Sequence, residues 1–135
     1  MRKVLASGLA SGMVLLGLSY FTLYATINYL PALVEEYYNP IFWPGNDRAL
    51  LFFVHPFILG FTLAWFWNWF KAQLFGPWWW RGLKFGLLYA LMATLPSMWI
   101  TFSAISVSLS MVLTWFVYGI MQAVVCGWIL AGVNP

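Results

Sequence analysis

The sequence predicts an all-α membrane protein, a four-transmembrane-helix bundle with both termini cytoplasmic. Three observations carry that expectation. Of 135 residues, 64% are hydrophobic and 7% charged, more apolar surface than a small water-soluble domain can hide. Four apolar stretches, about 4–30, 49–70, 83–101 and 104–131, approach or exceed the ~20 residues that cross a hydrocarbon core. Five of the six basic residues, Arg2, Lys3, Lys71, Arg81 and Lys84, fall on one side of these stretches, and the excess of Lys and Arg marks the cytoplasmic side. Residues 1–135 therefore read as a single transmembrane domain, expected in a bacterial inner (cytoplasmic) membrane.

The first stretch opens with Arg2 and Lys3, like the basic region of a signal peptide. Its apolar run reaches about Leu30, too long for a signal-peptide core, so it reads as a retained helix. Gly8 and Gly12 form a GxxxG pair near its start. The outer loop, 31–48, contains Pro31, Pro40, Pro44 and Gly45, which break helices. It also has the aromatic residues Tyr37, Tyr38, Phe42 and Trp43 and the acidic residues Glu35, Glu36 and Asp47. Such a loop has room for a short helix lying flat at the interface. The second stretch holds His55 and Pro56 and ends at Lys71. Trp78-Trp79-Trp80 precedes the third and reads as an anchor at the inner interface. The third carries Gly82, Gly86, Ala90 and Thr94 at a spacing of four, and the fourth repeats it with Gly119, Ala123, Gly127 and Ala131. Small residues four apart let helix backbones approach closely in lipid, where little hydrophobic force drives association. Gly8-Leu9-x-x-Gly12 and Gly82-Leu83-x-x-Gly86 open the two outward-running helices alike, a faint two-plus-two repeat.

Composition also narrows function. A net charge of +3 spread along the chain does not fit a nucleic-acid surface. Cys126 is the single cysteine, so thiol–disulfide exchange within the chain is excluded. One histidine cannot supply both axial ligands of a membrane b-type haem. We expect no metal and no cofactor, and find no nucleophile–base pair in the motifs. The expected surroundings are the lipid bilayer and either further copies of the chain or other membrane subunits.

His55 is the candidate the sequence singles out, because ionisable residues inside membranes are costly to keep there. It lies seven residues after Arg48, about 10 Å below the outer interface at ~1.5 Å per residue. Its expected partners are polar groups at helical spacing: Ser19, Thr22, Thr26 and Asn28 on helix 1, Thr62 on helix 2, and Tyr118 and Gln122 on helix 4. Ser19, Thr22 and Thr26 share one face (i, i+3, i+7) at about the depth of His55. Glu35 and Glu36 are the paired carboxylates of the outer loop.

Two segments carry a resemblance. Tyr38-Asn39-Pro40-Ile41-Phe42 after helix 1 and Gly127-Trp128-Ile129-Leu130-Ala131-Gly132 near the C-terminus resemble elements of small, uncharacterised bacterial four-helix membrane proteins. That resemblance implies the four-helix fold and no particular activity. Small multidrug transporters need a glutamate embedded in helix 1, whereas Glu35 and Glu36 lie beyond Pro31. The expected function is a structural or accessory membrane protein acting through helix contacts. The alternative is a binder or transporter of a small lipophilic molecule in a pocket near His55.

Overall fold

A computed structural model describes residues 1–42 and 48–135. Trp43, Pro44, Gly45 and Asp47 of the outer loop lie outside the described residues. The described residues form helices and connecting turns, without strands: α1 (Arg2–Tyr29), α2 (Pro31–Tyr37), α3 (Ala49–Phe70), α4 (Trp78–Tyr89), α5 (Leu95–Ala104) and α6 (Leu109–Val133). A π turn, Ala90–Thr94, joins α4 to α5 without a break. Four spans, Arg2–Tyr29, Leu50–Gln73, Trp78–Ala104 and Leu109–Val133, are long and apolar enough to cross a membrane.

Local chemistry sets each boundary. Leu30 precedes a proline, which disfavours helical backbone there, and its ψ of 59° bends the chain from α1 into α2. Gly76 adopts φ +117° in the turn before α4, a conformation open mainly to glycine. Extended Pro77 then starts α4 at once, so the third span begins at Trp78, earlier than the apolar run alone indicates. Ser108 caps α6, its Oγ accepting from the Met111 amide at 3.1 Å, and moves that helix start to Leu109. Pro96 has no N–H to offer the carbonyl four residues back, and the π turn immediately before it absorbs the mismatch.

The small residues pack the four spans into two tight pairs, α1 with α3 and α4 with α6. A Cβ placed on Gly60 of α3 would sit 2.8 Å from backbone atoms of Gly8 and Gly12. A Cβ on Gly82 would sit 2.7 Å from the backbone of Gly127, and one on Gly86 2.6 Å from Val124. The two Gly-Leu-x-x-Gly motifs thus occupy equivalent places, each seating the next long helix. Ala123 is buried beside these contacts, and Gly119 faces Thr94 of the π turn. A core of Leu15, Leu63, Trp67, Phe85, Cys126 and Leu130 joins the pairs. It lies in the half nearer the chain termini, where Trp67 meets Phe85 edge-on at 5.3 Å. That half is the terminal end below; the end carrying α2 is the loop end. Trp78, Trp79 and Trp80 are all exposed at the terminal end.

Candidate functional site

At the loop end a cleft of about 490 Å³ opens between α1, α2 and α6. Ser19, Thr22 and Thr26 line it from α1, Val34 and Tyr37 from α2, Thr114, Trp115 and Tyr118 from α6, and Phe52 from α3. Its size lies within the ~300–1,000 Å³ of small-molecule sites. Among the described residues that line it, none carries a charge. The polar groups are hydroxyls and one indole.

The cleft floor is a directional hydrogen-bond chain. Ser19 Oγ donates to the Leu15 carbonyl at 2.9 Å. With its single proton engaged, Ser19 accepts from the Tyr118 hydroxyl at 2.7 Å. Tyr118 in turn accepts from Gln122 Nε2 at 2.9 Å. This chain ties α1 to α6 and leaves each buried donor satisfied, which low-dielectric surroundings demand.

The roof is aromatic. Trp115 Nε1 donates to the Tyr37 hydroxyl. Phe42 meets Trp115 edge-on at 6.0 Å and lies 5.7 Å from Tyr37. α2 is thereby held over the cleft by a knot of three rings. On the wall between floor and roof, Thr26 Oγ1 donates to the Thr22 carbonyl at 2.9 Å and Thr114 Oγ1 to the Ser110 carbonyl at 2.9 Å. Thr22 Oγ1 is buried and has no hydrogen-bond partner among the described residues.

His55 is not part of this cluster, which corrects the expectation that it anchors the polar group. The buried face of α3 runs through Pro56, Gly60, Leu63, Ala64 and Trp67, because Gly60 must meet the α1 glycines. His55 and Thr62 lie off that stripe and are exposed. His55 makes no hydrogen bond among the described residues. Asn28 is exposed as well, and its Nδ2 donates locally to the Tyr24 carbonyl at 2.7 Å. Glu35 is exposed and Glu36 half-buried on α2, neither of them lining the cleft. Of the expected polar residues, the structure brings together Ser19, Thr22, Thr26, Tyr118 and Gln122.

Sequence reasoning passed over Tyr37, Thr114, Trp115 and Phe52 as cleft residues. A signal for α6 was present: Thr114, Tyr118 and Gln122 recur every four residues on one helix face. Comparison with protein families, curated proteins and solved structures finds no match to this chain. The site therefore rests on its own chemistry.

Proposed function

We propose that this chain is an integral protein of the bacterial inner membrane, with both termini cytoplasmic, that binds a small neutral lipophilic molecule in the cleft under α2. The observation that carries the reading is the cleft itself: about 490 Å³, without charge among the described residues that line it, with hydroxyls from α1, α2 and α6 set among apolar side chains. A neutral amphiphile fits that pattern. Its apolar body would lie against Leu23, Ile27, Val34 and Phe52, and an oxygen acceptor would take the Thr22 hydroxyl, which is buried and unpartnered among the described residues, once that side chain turns toward the cleft. An ionic headgroup would find no counter-charge among the described residues of the lining. The α1, α4 and α6 small-residue stripes make close backbone contacts within the chain, which favours a site inside the bundle over one built on those stripes.

The test is binding of farnesol as a neutral probe to the purified chain in detergent, read by quenching of tryptophan fluorescence. Thr22→Phe, which fills the cleft, should abolish saturable binding. Thr22→Val, which removes only the hydroxyl, should weaken it by roughly 5–10-fold, the worth of about one hydrogen bond. Unchanged binding in Thr22→Phe would remove the cleft from the case.

A second reading, an accessory subunit of a larger membrane complex, is favoured by one observation. The third span is the least covered, with 17% of its apolar window buried against 28–33% for the others. Native mass spectrometry of protein extracted gently from its own membranes distinguishes the two readings. Added partner chains support the subunit; a lone chain carrying a stoichiometric small molecule supports the cleft.

A further inference from the structure

The terminal end presents a different chemistry. Lys71, Arg81 and Lys84 gather around the 71–77 turn, held by carbonyls and rings. Arg81 donates to the Lys71 carbonyl at 3.2 Å, and its guanidinium lies 5.3 Å from the Trp67 ring centroid. Lys84 Nζ donates to the Phe75 carbonyl at 3.2 Å and lies 5.4 Å from the Trp80 ring. Lys71 Nζ donates to Asn134 Oδ1 at 2.9 Å and to the Pro135 carbonyl at 3.1 Å. These partners fix the three cations in place. Among the described residues no acidic side chain pairs with them; Glu35 and Glu36 belong to α2.

Two further groups beside these cations, one at the end of α6 and one at the start of α4, are donors in want of an acceptor. Asn134 is 1% exposed, and its Nδ2 has no hydrogen-bond partner among the described residues. α4 begins at extended Pro77 with no side-chain cap and no acidic residue in its first turn, so its positive dipole end is uncompensated. The exposed Trp78, Trp79 and Trp80 are suited to the water–lipid boundary.

We infer that Lys71, Arg81 and Lys84 form a site for the phosphate of an anionic phospholipid in the leaflet at the terminal end. Basic clusters at the cytoplasmic ends of spanning helices recognise such headgroups. Preset cations confine the phosphate to one position, rather than attracting a diffuse layer of charge. The site shares no residue with the cleft, so it stands or falls separately.

The test uses the full chain in a neutral detergent, with native mass spectrometry and titration of short-chain phosphatidylglycerol, phosphatidylcholine or inorganic phosphate. Phosphatidylglycerol should bind as a discrete adduct that weakens with added salt; phosphatidylcholine and phosphate should not bind detectably. Lys84→Gln should weaken phosphatidylglycerol binding several-fold and Lys84→Arg should retain it. Lys71→Gln/Arg81→Gln/Lys84→Gln should reduce it at least tenfold. If that variant fails to fold, the Lys84 pair and the salt dependence still decide. Arg2→Gln/Lys3→Gln, which removes equal charge outside the cluster, should leave binding nearly intact. Equal loss in Arg2→Gln/Lys3→Gln would overturn the site in favour of diffuse attraction. Binding of phosphatidylcholine with the same affinity, or of free phosphate, would overturn the anionic-lipid assignment.

Discussion

Gly127→Ala should destabilise the chain by about 1–2 kcal/mol, although it adds a single methyl group and replaces a poor helix former with a good one. The new Cβ would lie 2.2 Å from the Gly82 carbonyl oxygen and 3.0 Å from the carbonyl carbon. A carbon and a carbonyl oxygen normally meet at ~3.3 Å or more, so the backbones of α4 and α6 must part by about 1 Å. No side chain can rotate away to relieve the clash, because the opposing atoms are backbone. Nor can α6 tilt freely. Gly86 packs on Val124 one turn further along, and Trp128 Nε1 holds the Trp79 carbonyl at 3.0 Å. A gap of 0.5–1 Å forfeits about a quarter to a half of each van der Waals well along the seam. Overpacking of this kind costs about 1–3 kcal/mol. The helix-propensity gain of Gly→Ala, roughly 0.5–1 kcal/mol, offsets only part of it.

Unfolding in mixed detergent–SDS micelles measures the effect, with Gly17→Ala and Gly132→Ala as references. A Cβ at either position meets nothing within 4 Å, so both variants should be neutral or slightly more stable than the parent. Gly119→Ala should fall between, because its nearest neighbour is the Thr94 methyl at 2.6 Å, a side-chain atom that can yield. If Gly127→Ala is as stable as Gly17→Ala, the α4–α6 seam is not closely packed and the assignment of the small-residue stripe to internal packing is wrong.

Three further outcomes follow from the cleft and its surroundings. Tyr118→Phe removes the link between Ser19 and Gln122 and should cost about 1–3 kcal/mol in the same unfolding assay, the range for leaving a buried polar group unpaired; Gln122→Leu/Tyr118→Phe should recover part of that loss. Trp115→Phe breaks the bond to Tyr37 while keeping an aromatic ring, and should speed amide hydrogen exchange in α2 several-fold with little effect on α3; equal protection in both would show that α2 is held by something other than the ring knot. His55→Leu should leave stability within about 0.5 kcal/mol, since the imidazole has no partner among the described residues; a loss above ~1 kcal/mol would mean that the outward face of α3 depends on it.

The seam was legible in the sequence and the cleft only half so, for a physical reason. A GxxxG spacing encodes its own contact: two small residues on one face leave a groove, and a neighbouring backbone fills it. Gly8, Gly12, Gly82, Gly86 and Gly127 therefore marked faces for close backbone contact, without saying whether the partner helix belonged to the same chain. A cleft is the space that several elements leave empty, and no single periodicity describes it. Ser19, Thr22 and Thr26 were visible as a polar face of α1, but what they face depends on where α2 turns back over them. The break at Leu30 and the rings of Tyr37, Phe42 and Trp115 set that return, and rings in a loop look the same whether they anchor to lipid or to one another. His55 misled for the opposite reason. Its chemistry drew attention, yet the direction of its side chain was fixed by Gly60, five residues on, which claims the inward face of α3 for backbone contact with α1. In a bundle packed through glycines, the smallest residues decide which way the most reactive ones point.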